Sequence, residues 1–205
     1  MALSLQSGTV AAAGPVLLVH GGAWNIPDDA CPVHRDGLHD ALTAGREPLQ
    51  KEQAALRVVT TAGVALEAHE AFNAGYGAML NQDGEAELDA GAMQGATLAY
   101  GAVLATRRLA HPVQVARRLL TEGDGRVRML AGDGAERFAE AQGVGPVANE
   151  ALICPRGQRR YERPRDPADA GHPSHSFPPG AEALGGADTG GAVGRAADGR
   201  LAARA

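Results

Sequence analysis

The feature that most constrains how this chain of 205 residues can fold is a long interruption in its hydrophobic pattern. Residues 155–180 are rich in proline and glycine, carry several arginines and show no apolar periodicity. Because such a composition disfavours helices and strands, it predicts a mobile linker. We therefore divide the chain into residues 1–154, a linker over residues 155–188, and a short final segment, residues 189–205.

The segment before the linker predicts strands and helices in an α+β arrangement. The predicted elements are a buried strand at residues 15–20, a proline-containing loop, a helix at 46–67, paired strands at 87–93 and 97–105, and helices at 112–122 and 135–142. After the linker, residues 190–203 have the pattern of a strand, a turn and the start of a second strand. We expect an unfinished hairpin there.

Composition excludes several functional classes. With 19 Lys+Arg against 24 Asp+Glu, the net charge of −5 gives no basic surface for nucleic acid. No stretch approaches the roughly 20 apolar residues of a membrane helix, and residues 1–14 lack the pattern of a signal peptide. Cys31 and Cys154 have no metal-ligand spacing and are expected to be reduced thiols. We expect a cytoplasmic protein without nucleic-acid or membrane partners.

Thr189 is the main candidate for a chemical role. It stands in the run Gly185-Gly186-Ala187-Asp188-Thr189-Gly190-Gly191, where glycines allow a strained turn to bring its hydroxyl to the Asp188 carbonyl. Cleavage between Asp188 and Thr189 would give one residue both a hydroxyl nucleophile and a free α-amine. An α-amine has a pKa of about 7.7–8.0 and can act as a base near neutral pH. Taken alone, a threonine in such a loop is usually only a turn residue.

Other short motifs give this threonine a context. The chain contains, in order, His20-Gly21-Gly22-Ala23, Phe72-Asn73-Ala74-Gly75-Tyr76-Gly77, Glu87-Leu88-Asp89-Ala90, Gly101-Ala102-Val103 and Gly132-Asp133-Gly134-Ala135-Glu136. Together with the run around Thr189, they resemble the plant-type asparaginase and isoaspartyl peptidase family of N-terminal-nucleophile hydrolases. The resemblance extends from about Val16 to Ala203 and depends on the shared order and spacing of the motifs.

The resemblance implies a precursor that cleaves itself before Thr189 and folds as an αββα sandwich, of which this chain supplies mostly the α-chain half. Thr189 would attack the side-chain amide of asparagine or the isoaspartyl bond of a β-aspartyl dipeptide, without an organic cofactor. Complete family members are expected to form homodimers of αβ units. A glycosylasparaginase-like amidase is a close alternative, because that related group carries aspartate at the position of Asp188.

The resemblance also implies roles for residues upstream. Asn73 matches the asparagine that organises the nucleophile region, while a left-handed turn residue before Gly75 remains an open alternative. The loop at residues 66–79 resembles one that binds a structural sodium ion through main-chain carbonyls, which makes Leu66, Glu67 and Phe72 candidate ligands. His20 is expected to be a hydrogen-bonded structural histidine.

Two departures from the family pattern affect the expected activity. Gly190 replaces a branched residue beside the nucleophile, which loosens a strand edge. The sequence reaches Ala205 before the family's Thr-Ser-Thr-Gly-Gly run, its substrate-clamping arginine and aspartate and its oxyanion-hole donors, so the substrate-binding residues are expected beyond Ala205. We also expect the sheet to expose an apolar face. A frameshifted or truncated product, a piece completed by another polypeptide and a non-enzymatic remnant all remain open.

Overall fold

A six-stranded sheet forms the centre of the part of the chain that the structure describes. The structure, a computed structural model, describes residues 14–22, 26–51, 53–162 and 190–205. The strands are β1 (Val16–His20), β2 (Leu88–Gln94), β3 (Ala99–Thr106), β4 (Met129–Ala131), β5 (Gly191–Arg195) and β6 (Leu201–Arg204). The helices are α1 (Cys31–Gln50), α2 (Ala55–Glu67), α3 (Pro112–Glu122), α4 (Gly132–Ala141) and α5 (Pro155–Tyr161). The predicted mixture of strands and helices is confirmed.

The final segment lies in the middle of this sheet. The strand order is β1-β5-β6-β2-β3-β4, so β5 and β6 separate the first strand from the second. They form a complete antiparallel hairpin in which Arg195 faces Leu201 across a turn, where Gly199 has a positive φ of 81°. The expectation of an unfinished hairpin is therefore wrong, because the few residues after the turn suffice for a second strand.

Helices cover one face of the sheet. The largest core cluster joins α2, α3 and α4 to inward-facing residues of the strands, many of them alanine, which lets helix and sheet approach closely. At Gly194 of β5 an added Cβ would lie 2.9 Å from Cγ1 of Val59 on α2. Glycine is therefore what fits at this point between the helix and the sheet.

The other face of the sheet carries exposed apolar side chains. Leu18, Val193, Met93 and Tyr100 belong to one row that crosses five strands. Leu18 pairs with Val193, Ala203 on β6 pairs with both Val193 and Met93, and Met93 pairs with Tyr100. The exposed fractions of Leu18, Val193, Met93 and Tyr100 are 64%, 49%, 39% and 46% respectively. The expected apolar face is confirmed. The prediction that β1 is buried is wrong, because alternate residues of this edge strand point to that open face.

The helical boundaries near the start of the chain differ from the prediction. The expected helix at residues 46–67 is two helices, and most of α1 occupies the region predicted as a loop. The buried residues of α1 recur with helical spacing, but they are His34, Gly37, Ala41, Gly45 and Pro48. Because this face contains small and polar residues, its period gives little hydrophobic signal. Pro32 stands in the first turn, where proline is tolerated.

The beginning of the predicted linker is also ordered. Residues Pro155–Tyr161 form α5, in which Pro155 occupies the first turn and the Cys154 sulfur accepts the Gly157 amide at 3.3 Å. Proline thus begins a helix here instead of interrupting one. Residues 163–188 lie outside the described residues, so the rest of the linker remains a prediction. Among the described helices, none has the length and apolarity needed to span a membrane.

Candidate active site

A cavity of about 370 Å³ lies where the loop after α2 meets the ends of the central strands. The loop contributes Asn73 and Gly75, the strands contribute Asp89 and Arg204, and Gly190 forms part of the wall. Asp188 and Thr189 lie outside the described residues. Gly190, which directly follows Thr189 in the sequence, is described and buried. The predicted nucleophile is therefore the sequence neighbour of a residue that lines the cavity.

Asn73 closes the loop that borders this cavity. Its side-chain oxygen accepts the amide N–H of Met79 at 2.8 Å, which spans six positions of the chain. The alternative of a left-handed turn residue is wrong, because among the described non-glycine residues only Leu98 and Ala105 have positive φ. Asn73 therefore fixes the loop through its side chain, and its action on the nucleophile remains a prediction.

The same loop turns main-chain carbonyl oxygens inward around two glycines. Gly75 has a φ of 54°, and a Cβ added there would collide with the Glu67 carbonyl; one added at Gly77 would collide with the carbonyls of Phe72 and Glu70. Glu67 and Phe72, two of the three predicted sodium ligands, therefore have their carbonyl oxygens close to the glycines of this loop. The third, Leu66, uses its carbonyl to accept the His69 amide at 3.2 Å.

Such carbonyl oxygens suit a hard cation. The described residues contain no group of three or more His, Cys, Asp and Glu side chains placed to hold a metal. The sodium site in this loop remains a prediction.

A buried charge cluster forms part of the cavity wall, and sequence reasoning missed it. The Glu67 carboxylate, 2% exposed as a residue, accepts the Val113 amide at 3.1 Å and lies 3.5 Å from His111 Nδ1. Arg204 lies 3.7 Å from the same carboxylate. Burial lowers the pKa of Arg204, while the charge of Glu67 opposes this shift. The alternation of β6, which puts Ala202 and Arg204 on the inward side, is the sequence signal that could have identified Arg204.

Two further acidic side chains, Glu87 and Asp89, line the cavity. Asp89 accepts the amide of Ala105 at 2.7 Å, and Ala105 has an unusual positive φ of 51°. Glu87 accepts two hydrogen bonds from Arg107, at 2.8 and 3.1 Å. These hydrogen bonds hold the ends of β2 and β3 together, so the Glu87-Leu88-Asp89-Ala90 motif shapes this wall.

Two other motif residues have local structural contacts. Glu136 accepts the amides of Arg107 and Arg108 at 2.8 and 3.0 Å and the Nε of Arg108 at 2.7 Å. The Gly132-Asp133-Gly134-Ala135-Glu136 motif therefore anchors the end of β3 through its glutamate. His20 accepts the Gly22 amide at 3.4 Å, as expected for a hydrogen-bonded residue, but its ring is exposed at the sheet edge.

Comparison with known proteins identifies related sequences. The family model described as "Asparaginase" matches residues 13–205. An isoaspartyl peptidase/L-asparaginase of Xenopus laevis is 39% identical over 147 residues, which are 72% of this chain and 47% of that protein. The Danio rerio protein of the same name is 39% identical over 153 residues, 75% and 49% of the two chains. The Homo sapiens protein is 37% identical over 150 residues, 73% and 48%. This chain thus matches about half the length of these curated relatives.

Proposed function

Because the chain belongs to the asparaginase family, we propose that it is the precursor portion of a threonine-type amidohydrolase that cleaves itself between Asp188 and Thr189. Its substrates are the side-chain amide of L-asparagine and the isoaspartyl bond of β-aspartyl dipeptides. The observation that carries the proposal is that Asn73 and Gly190, the residue after Thr189, line one cavity. The names of the relatives support the same pair of substrates.

In the proposed self-cleavage, the Thr189 hydroxyl attacks the carbonyl carbon of Asp188. The peptide nitrogen of Thr189 leaves as the acyl group moves to the hydroxyl oxygen, and water then hydrolyses the ester. The products are a chain ending at Asp188 and a chain whose first residue is Thr189. The division into residues 1–188 and 189–205 follows from this cut.

In the proposed hydrolysis, the free α-amine of Thr189 accepts the hydroxyl proton while the oxygen attacks the substrate carbonyl. The proton then passes to the leaving ammonia or amine, and water releases aspartate from the covalent ester. Oxyanion donors and substrate-clamping groups are required for an efficient reaction, since one oxyanion donor is worth about 2.7–4 kcal/mol. In the proposed complete enzyme they come from sequence that corresponds to the other half of the relatives.

The exposed apolar row on the sheet supports the proposed αββα sandwich. A second sheet packed on Leu18, Val193 and Met93 would remove these side chains from water, and the burial of apolar surface is favourable.

Pairing of two such αβ units into a homodimer, and a location in the cytoplasm, remain part of the proposal. A structural sodium ion held by main-chain oxygens of Glu67 and Phe72, with Leu66, would stabilise the loop that carries Asn73.

Ammonia and aspartate release test the proposed activity. The purified chain is incubated with L-asparagine, a β-aspartyl dipeptide or a glycosylated asparagine, beside Thr189→Ala and Thr189→Ser variants. Because the oxyanion donors and clamping groups are expected beyond Ala205, we expect only slow release, of ammonia and aspartate from L-asparagine and of aspartate from the dipeptide. Thr189→Ala should release neither product, and Thr189→Ser, which keeps a hydroxyl, should react more slowly still. Preference for the glycosylated substrate favours the glycosylasparaginase-like alternative. Absence of release from all substrates contradicts activity of this chain and favours the non-enzymatic fragment.

A further inference from the structure

Arg204 connects the centre of the sheet to helix α2 and to the wall of the cavity. Its main chain is fixed on both sides, because β6 pairs Arg204 with Ala192 on β5 and with Ala92 on β2. Its side chain points inward and is only 2% exposed. The position of the guanidinium is therefore restricted by the paired main chain of β6 and by the burial of the side chain.

Two main-chain carbonyls accept hydrogen bonds from this guanidinium. Nη1 donates to the carbonyl of Gly190, and Nη2 donates to the carbonyl of Gly63 at 2.9 Å. The absence of a side chain at Gly63 makes room for the contact, since an added Cβ would collide with Nε of Arg204. The glycine on α2 and the arginine on β6 are thus matched to each other.

The charge of Arg204 lies in a buried position, and burial disfavours the charged form of a side chain. Burial lowers the pKa of Arg204, and Glu67, 3.7 Å away, opposes that shift only in part. Apolar side chains of similar volume often stabilise such a position as well as a buried ion pair does. Stability alone therefore does not account for an arginine here, whereas its planar fork can hold two carbonyls in a defined geometry.

The carbonyl that it holds belongs to the residue directly after Thr189. We propose that Arg204 is a positioning residue that clamps the Gly190 carbonyl and thereby limits the movement of the main chain beside the nucleophile. This inference rests on the proposed function, because it assigns the reaction to Thr189. Gly190 has no side chain to fix this position, and small displacements from attacking geometry slow a reaction strongly. The clamp supplies the restraint that a branched residue would otherwise give.

The test uses two independent measurements on the full chain. Hydrogen exchange followed by mass spectrometry is measured over residues 190–195 in Thr189→Ala, which keeps the precursor intact, with and without Arg204→Met. Intact mass gives the rate of cleavage between Asp188 and Thr189 in otherwise unmodified chains. Arg200→Met is the matched control, because Arg200 belongs to the same hairpin but is exposed and pairs only with Asp198 among the described acidic residues.

We expect Arg204→Met to exchange at least about tenfold faster over residues 190–195 and to cleave at least about tenfold more slowly, the loss expected for a hydrogen bond to a charged donor. Arg204→Lys should recover part of both effects, since it keeps a donor, and Arg200→Met should change neither. If Arg204→Met does not fold, Gly63→Ala displaces the guanidinium while keeping the arginine, and the same two results are expected.

Unchanged exchange in Arg204→Met contradicts the clamp, whatever happens to cleavage. Faster exchange with an unchanged cleavage rate contradicts the positioning role. If the unmodified chain does not cleave at all, the proposed function fails, and faster exchange in Arg204→Met still supports the clamp on Gly190. The two failures are therefore distinguishable.

Discussion

At the scale of single residues, buried polar side chains form hydrogen bonds that the sequence motifs alone did not reveal. Glu136 belongs to a short sequence motif, and its carboxylate accepts hydrogen bonds from two arginine amides and one guanidinium. Burial by itself raises the pKa of Glu136, but the hydrogen bonds from Arg108 and the two amides outweigh it, so the pKa lies below its ordinary value. Folding and ionisation of this carboxyl are consequently linked.

The first prediction concerns the stability that Glu136 contributes. Because its folded pKa is lowered, this contribution is fully present above the unfolded value of about 4.5 and is lost as the pH falls through the lower folded pKa. Glu136→Gln should destabilise the chain by about 1–3 kcal/mol at pH 7. Its stability should then decline less than that of the unmodified chain below pH about 4.5. Urea unfolding at several pH values measures both effects.

Glu140→Gln is the matched control for this substitution. Glu140 also contacts Arg108, at 3.1 Å, but it is exposed and accepts no main-chain amide there. Its removal should change the free energy of unfolding by no more than about 0.5 kcal/mol. Equal losses in the two variants would show that the buried amide contacts of Glu136 are not what stabilises this corner.

At the scale of elements, the loop after α2 depends on glycines whose missing side chains let carbonyls converge. Gly75 and Gly77 belong to the motif that suggested the family, but their number and order could not reveal which oxygens they approach. In the structure, a Cβ added at Gly75 would collide with the Glu67 carbonyl, and one added at Gly77 would collide with that of Phe72. The glycines therefore set the geometry of the loop that Asn73 closes.

Gly77→Ala should consequently destabilise the chain by about 1 kcal/mol or more, because the new Cβ collides with main-chain atoms that cannot rotate away. Gly145→Ala is a suitable control, since no atom lies within 4 Å of its added Cβ. Thermal unfolding of both variants measures the difference. The explanation is contradicted if Gly77→Ala is as stable as Gly145→Ala.

Element prediction from sequence succeeded where large apolar residues repeat and failed where small or polar residues form the buried face. Helix α3 was predicted with its observed ends, and its inward positions include Val113, Val115 and Leu119. Helix α1 was missed, because its inward positions include Gly37, Ala41 and Gly45. The cavity combines the loop, the strand ends and Gly190, and only three-dimensional packing brings these distant segments together.

At the scale of the whole molecule, the described helices cover one face of the sheet, and the other face carries exposed apolar side chains. Val59 on α2 is fully buried against β5, whereas Val193 on the opposite face of β5 is 49% exposed. Val59→Ala should therefore cost about 1–3 kcal/mol, while Val193→Ala should cost less than about 0.5 kcal/mol. Urea unfolding compares the two. Equal costs would mean that the face carrying Val193 is covered in solution.

The open face also predicts how the isolated chain behaves. Contiguous apolar surface binds hydrophobic dyes and promotes association. Replacing Leu18 and Val193 together by serine interrupts the exposed row and should lower both dye binding and self-association, measured by fluorescence and light scattering. The control pair Asp28→Ser and Asp29→Ser, two exposed residues just before α1, should leave dye binding unchanged. Equal dye binding by all variants would contradict an exposed apolar row.

The most direct test of the central claim is the intact mass of the purified chain during incubation at neutral pH. The account predicts that a species beginning at Thr189 appears with its partner ending at Asp188, and that Thr189→Ala abolishes both. Persistence of the full-length chain, or equal cleavage in Thr189→Ala, would contradict the assignment of Thr189 as an autoprocessing nucleophile.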